Sequence, residues 1–428
     1  MKKAIVVLAA AAAMSSVASA QVVAVMNGRV HTVTGGVIEN GDVIIRDGRI
    51  AQIGSDLQAP PDAVTIDATG KVVTPGLFAA YSSLGLMELQ LDSEANDAGP
   101  NQGAVPLFQL GASLNAVDGI KPGSTLIPYN RAEGVTRALS APQAGDSIFG
   151  GNAAIIDLTG RPNSVTRAGV AQVAMMGYAG AARTGDTRLG AWATLRDYLD
   201  EARSYQANPN DYVRRARDAR FQLSDLKALG PVVAGEEPLL VFVNSANDIR
   251  TLIRLKNTYR LKIIVVGATE GWRVAQELAA ANIPVIINGM ANLPNSFEDL
   301  DSTLKNAARL TQAGVKVSFS DDTHKAYLMR QSAGNAVAEG MPYDAALAAI
   351  TLNPAAMYGL GDELGSIEAG KIADLVIWDG DPLEVTTEPE AVFIGGRPQD
   401  LNTRAKMLME RYRDLSRGDL PHAYRGGE

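Results

Sequence analysis

Between about residues 237 and 320 the chain repeats one unit: a short apolar run, a helix-compatible stretch, then another apolar run. Residues 261–266 (Leu-Lys-Ile-Ile-Val-Val) are followed by a stretch to residue 281 with Trp272, Val274, Ala275 and Leu278 at helical spacing, then by Ile283-Pro-Val-Ile-Ile287. A second unit runs from residues 302–313 into Val315-Lys-Val-Ser-Phe-Ser320. Strands separated by helices bring parallel neighbours together, so this region predicts an α/β fold around a parallel sheet, closed as a barrel or open and doubly wound. No glycine-rich dinucleotide fingerprint opens a helix to favour the open form.

Both ends of the chain have a different texture. Residues 22–75 hold short β-rich runs broken by turn signals: residues 22–26 before Asn27-Gly28, residues 43–45 before Asp47-Gly48, and residues 64–66 before Gly70. The pattern returns in residues 362–400, with Asp379-Gly380-Asp381-Pro382 and Gly395-Gly396 as breaks. These segments predict one composite β-sandwich assembled from residues 22–75 and 362–400, with a barrel over residues 76–361. Residues 92–210 are harder to read and suggest long loops. Residues 401–428 predict a helix from Arg404 to Leu415 and a polar tail.

Met1-Lys2-Lys3, an apolar run and Ala18-Ser19-Ala20 before Gln21 have the layout of a secretory signal peptide over residues 1–20. The expected address is periplasmic or secreted. The chain has no cysteine, so disulfides and thiolate chemistry are excluded. Removal of Lys2 and Lys3 takes the formal charge from −8 to −10, which argues against nucleic acid and anionic membrane as partners.

Three segments carry a resemblance. Residues 74–85 read Thr-Pro-Gly-Leu-Phe-Ala-Ala-Tyr-Ser-Ser-Leu-Gly, residues 365–376 read Gly-Ser-Ile-Glu-Ala-Gly-Lys-Ile-Ala-Asp-Leu-Val, and residues 346–356 form an Ala-rich segment with Asn353-Pro354. Together they resemble the amidohydrolase superfamily, and most nearly its imidazolonepropionase-like periplasmic branch. That resemblance implies a (β/α)8 TIM-type barrel with a composite β-sandwich, and hydrolysis at a divalent metal centre. It also implies where the metal ligands belong: two histidines on the first barrel strand, one each on the fifth and sixth, and an aspartate on the eighth.

This sequence departs from that pattern at nearly every ligand. The first-strand positions are Tyr81 and Ser83, the fifth-strand position is Phe242, and the sixth falls at Val266 or Gly267. Only the aspartate is kept, as Asp321. A hydrolytic zinc site needs about three protein ligands from histidine or carboxylate, so no metal and no other cofactor is expected. The chain holds three histidines in all. His31 lies in the sandwich and His422 in the tail, while His324 follows Asp321 and Asp322 closely enough to cluster with them at the barrel mouth.

The expectation is therefore an exported, metal-poor pseudoenzyme of this superfamily. It would bind a small amide-like ligand in the pocket lined by Tyr81, Ser83, Phe242 and Gly267, or associate as a homo-oligomer or with a catalytically complete paralogue. The alternative is an active hydrolase of non-peptide C–N bonds, cyclic amides or acylated amino acids, using Asp321 with His324 and Asp322 and one weakly bound divalent metal. Tyr81, Ser82, Ser83, Glu236, Glu237 and Glu270 are further candidates near strand ends, although no Gly-x-Ser-x-Gly elbow is present to activate a serine.

Overall fold

The computed structural model describes residues 22–89, 92–99, 111–210, 212 and 221–413. The signal-peptide segment, His422 and the tail beyond residue 413 lie outside the described residues. Two eight-stranded sheets organise the chain. In chain order the first begins with β1 (Val22–His31), β2 (Val37–Arg46), β3 (Arg49–Ser55), β4 (Ala63–Asp67) and β5 (Val72–Pro75). The second holds β6 (Leu77–Ser82), β7 (Val135–Ser140), β8 (Phe149–Asp157), β9 (Val165–Met175), β10 (Leu239–Val243), β11 (Ile263–Gly267), β12 (Val285–Ile287) and β13 (Val317–Phe319). The chain then returns to the first sheet with β14 (Leu375–Trp378), β15 (Pro389–Ile394) and β16 (Arg397–Pro398).

Both ends of the chain meet where β14 pairs antiparallel with β5, Val376 opposite Thr74. The strands are hydrogen-bonded as one sheet, and the sandwich arises because that sheet closes on itself. The sheet folds back on itself: the Asp47-Gly48 turn of the β2–β3 hairpin reaches Ala373, whose N–H donates to the Gly48 carbonyl at 2.9 Å. Asp47 and Gly48 both have positive φ, as the mirror-image hairpin turn requires. Val25, Ile45, Ile50, Leu375 and Phe393 fill the enclosed space. Asn27-Gly28 is not a turn. β1 runs straight through it with a bulge, Asn27 at φ 63°, while its N–H donates to Asp42 Oδ1.

The second sheet is the barrel. All neighbouring strands are parallel except β8, which is antiparallel to both β7 and β9. Seven strands run one way and one runs back, because residues 141–148 and 158–164 are short loops where a strict (β/α)8 order would put helices. Beyond the strand ends Ser320 Oγ donates to the Tyr81 carbonyl at 2.9 Å and Ser83 N–H to the Thr323 carbonyl at 2.8 Å, which draws β13 against β6. Alternation sorts the side chains: Leu240, Ile264, Val266 and Ile286 fill the interior, while Leu239, Val241 and Val265 face the outer helices.

The helix Arg188–Ala207 corrects the expectation of loops in that part of the chain. Trp192, Leu195, Leu199 and Ala202 form its buried stripe. The C-terminal helix Arg404–Arg413 has no buried residue. Among the described residues no helix is long and apolar enough to cross a membrane.

Sandwich and barrel are joined by a buried ion pair. Arg137 on β7 donates through Nε to Asp374 Oδ2 at 2.6 Å and through Nη2 to Oδ1 at 3.3 Å. The Asp374 carbonyl accepts from Gly76 N–H at 2.8 Å, fixing the point where the chain passes from β5 into β6. Nearby, Gly134 has φ +90°, and a Cβ there would lie 2.6 Å from the Trp378 ring, so only glycine lets the rings of the sandwich reach the barrel wall.

Candidate functional site

The C-terminal ends of barrel strands form the mouth, where catalytic groups are ordinarily displayed. The end of β6 contributes Tyr81, Ser82 and Ser83. Tyr81 is buried and its ring meets the ring of Phe242, from the end of β10, edge to face at 5.1 Å and 74°. Such a pair contributes about 0.5–1.5 kcal/mol beyond its area burial. Burial also raises the Tyr81 pKa, so its phenol stays neutral and supplies no base. The two serine hydroxyls are spent as donors, Ser82 Oγ to the Leu139 carbonyl at 2.7 Å and Ser83 Oγ to the Thr323 carbonyl at 3.2 Å. Neither faces a base that would make it a nucleophile.

At the end of β11 the backbone takes two successive residues with positive φ. Gly267 has φ +95°, and a Cβ there would lie 2.4 Å from Asn244 Oδ1 and 3.1 Å from the Val243 carbonyl oxygen. Ala268 follows at φ 43°. No side chain larger than hydrogen fits at Gly267 without moving this junction, which Asn244 further ties by accepting from Thr269 Oγ1 at 2.9 Å. Val266, the other sixth-strand candidate, points into the apolar interior.

Glu270 is structural. Its Oε2 accepts from Ala246 N–H at 3.0 Å, at the start of the helix Ala246–Tyr259, where Ser245 is the N-cap and accepts from Asp248 N–H.

Asp321 stands just past β13. One carboxylate oxygen accepts from Gly289 N–H at 3.1 Å, and the other is buried with no hydrogen-bond partner. Burial, offset in part by neighbouring donors, pushes its pKa up to about 6. Asp322 and His324 pair with each other instead: His324 Nδ1 lies 2.7 Å from Asp322 Oδ1, which also accepts the His324 and Lys325 N–H groups. The expected cluster of three thus divides into a compact Asp322–His324 turn and an Asp321 carboxyl directed to Gly289.

His31 sits at the end of β1, buried against the Tyr343 ring at 5.6 Å, and burial lowers its pKa. It sits where the first sheet meets the barrel helix Tyr343–Ala349. Glu236 and Glu237 precede β10, so they lie at the opposite end of the barrel from the mouth. Among the described residues no group of three or more histidine, cysteine, aspartate or glutamate side chains is placed to hold a metal ion. A phenol, two committed hydroxyls, a phenyl ring and a glycine do not fit the donor chemistry of a zinc centre.

A family model described as the amidohydrolase family matches residues 243–400. The amidohydrolase tasK of Hapsidospora irregularis is 25% identical over 398 residues, 84% of this chain, but the chain spans only 40% of that relative's length. An imidazolonepropionase of Sphingopyxis alaskensis is 25% identical over 388 residues, covering 84% of this chain and 92% of the relative. Among solved structures, an amidohydrolase from Thermotoga maritima superposes with a TM-score of 0.78 at 25% identity, covering 88% of this chain and 99% of that one. Molinate hydrolase, at 20% identity and a TM-score of 0.55, shares the fold.

Proposed function

Because this chain is a member of the amidohydrolase superfamily, we propose that it is an exported member that has given up metal-dependent hydrolysis and serves as a binding or assembly subunit beside a metal-complete paralogue. The observation that carries this reading is the Tyr81–Phe242 pair. Two aromatic rings in edge-to-face contact stand at positions where the family pattern calls for metal ligands, Ser83 at another, and the sixth-strand position falls on Val266, which packs in the apolar interior, or Gly267, where positive φ strains any side chain. The mouth is rebuilt as apolar packing, so restoring one histidine would not restore the centre.

A surface at the same end of the barrel supports association. Tyr178 and Leu189 after β9, with Met290, Leu293, Phe297 and Leu300 after β12, are exposed, Phe297 to 80%. The two loops are joined, since Glu298 Oε1 accepts the Tyr178 N–H at 2.7 Å. An apolar patch of this kind marks an interaction site. The experiment is purification of the mature protein from its source, native mass measurement and elemental analysis. A stable complex with an amidohydrolase bearing the full histidine set, dissociated by Leu293→Asp with Phe297→Asp, supports the proposal. A lone monomer overturns the assembly, and near-stoichiometric zinc, manganese or iron overturns the loss of the metal.

One observation favours the second reading, an active hydrolase of cyclic amides or acylated amino acids. Asp321 Oδ2 is buried at the barrel mouth with the Ser332 hydroxyl as its neighbouring donor, and a carboxyl with a pKa of about 6 is poised for proton transfer near neutrality. Hydrolysis of a small C–N substrate that disappears in Asp321→Ala while the fold persists would establish it.

A further inference from the structure

A large cavity lies away from the mouth. It is a cleft of about 1330 Å3 under the opposite face, where β9 to β13 begin. Ordinary sites for small organic ligands have volumes of about 300–1,000 Å3, so the space suffices for one. The cleft has three chemically distinct parts. Its apolar wall includes Val170, Ile264, Leu278 and Met357. Its lining includes Lys227, Lys256, Lys262, Lys316 and Arg167 against Glu236 and Glu237, a local cationic excess on a chain whose formal charge is −8, although Lys262 Nζ donates to the Glu236 carbonyl at 3.2 Å and Arg167 pairs with Glu363.

The third part is polar and buried. Glu237, 6% exposed, accepts from Asn152 Nδ2 at 2.9 Å, while Asn152 Oδ1 is buried without a partner. Directly across the β8–β9 ladder from Asn152 lies Gln172, fully buried, with neither its amide oxygen nor its amide nitrogen hydrogen-bonded. Gln172 lies behind the cleft wall, so the unpaired atom a ligand can meet is Asn152 Oδ1; leaving it unpaired costs of order 1–3 kcal/mol, and a bound polar group would recover that cost. Burial pushes the Glu237 pKa up to about 7, so near neutrality the carboxyl is available to donate as well as accept.

We propose that this cleft at the base of the barrel binds a small organic acid, with an apolar body against the strand ends, an anionic carboxylate or phosphate held by the lysine rim, and a polar group reaching Asn152. The mouth and the base are separate surfaces, so this site stands whether or not the mouth hydrolyses anything. The lysines select charge and the apolar wall selects size. Asn152 selects for a hydrogen-bond donor.

Titration calorimetry on the full-length mature chain tests this with sodium octanoate, octyl phosphate and octan-1-ol as probes. One site per chain is expected for at least one of the two acids, at least tenfold tighter than for the alcohol, and the acid that binds identifies the anionic group. Lys256→Glu with Lys316→Glu is expected to weaken that acid by tenfold or more. Lys227→Glu, at an exposed position, gives the same test should the double variant fold poorly. Binding of neither acid, binding no tighter than the alcohol, or binding unchanged in all lysine variants overturns the proposal.

Discussion

The junction between sandwich and barrel and the mouth of the same barrel lie at the two ends of β6, and they have been treated oppositely. At the junction, Asp374 closes a buried two-point ion pair with Arg137 and its carbonyl receives Gly76 N–H, while Trp378 Nε1 donates to Thr74 Oγ1 at 2.8 Å. At the mouth, ligand positions only a few residues further on hold Tyr81 and Ser83, which face aromatic and backbone groups. The difference teaches that the frame of this fold is retained for reasons of its own. The Arg137 guanidinium is satisfied there by Asp374 alone, while Asp374 Oδ1 also accepts from Gly395 N–H at 2.7 Å, so losing Asp374 strands the guanidinium. Metal ligands, by contrast, can be replaced by groups that pack, because an aromatic pair needs no further partner.

The strongest test of this contrast is Asp374→Ala, which leaves the Arg137 guanidinium buried and unpaired. A loss of about 4 kcal/mol is expected, read as a lower denaturation midpoint at unchanged slope. A loss under about 1 kcal/mol would show that the junction does not hold the frame.

At the mouth, Tyr81→Ala removes a buried ring and its contact with Phe242. A cost of about 3 kcal/mol is expected if the rings are core packing, measured in the same way. A neutral or stabilising result would mean that the ring is held there for binding rather than for stability.

The base of the barrel gives a pH-dependent signature. The Glu237 pKa rises from 4.5 to about 7 on folding, so its contribution to stability is fully present below pH 4.5 and is lost as the pH climbs through 7. Glu237→Gln keeps the acceptor for Asn152 and removes the ionisation. Without added ligand this variant is expected to be more stable than the parent by about 2 to 3 kcal/mol at pH 8, with the gap closing near pH 4. Parallel pH profiles for the two proteins would refute the burial of that carboxyl.

The smallest expected effect is none. Tyr81→His combined with Phe242→His restores two family ligands while Gly267 and Ser83 remain, and no stoichiometric zinc is expected by elemental analysis. One zinc per chain in that variant would show that the mouth is only two substitutions from a working centre.

Much of the frame was legible because it depends on local patterns. Strand and helix periods mark β10 to β13, and the Asp47-Gly48 turn forms where its residues require positive φ. The buried stripe of the helix Arg188–Ala207 was also there to read, as Trp192, Leu195, Leu199 and Ala202, but flanking glycine and alanine obscured it. Asn27-Gly28 has the composition of a turn and becomes a bulge, because strand pairing on both sides carries the chain through it. At the site, the absence of histidine at Tyr81, Ser83, Phe242, Val266 and Gly267 was plain in the letters. The division of Asp321 from the Asp322–His324 pair was not, since it depends on which backbone N–H each carboxyl finds.

By itself the amino-acid sequence determined the alternation of strands and helices from about residue 237 onward, the return of the C-terminal strands to the N-terminal sheet, and the poverty of histidine at the mouth. These follow from residue type and spacing. Only the tertiary structure decided that β8 runs backwards, that Tyr81 and Phe242 meet edge to face, that Gly267 has no room for a side chain, and that Asn152, Glu237 and four lysines share a cleft under the barrel. Each of those depends on distances between residues remote in sequence, which are set by how the sheet closes and not by any local preference.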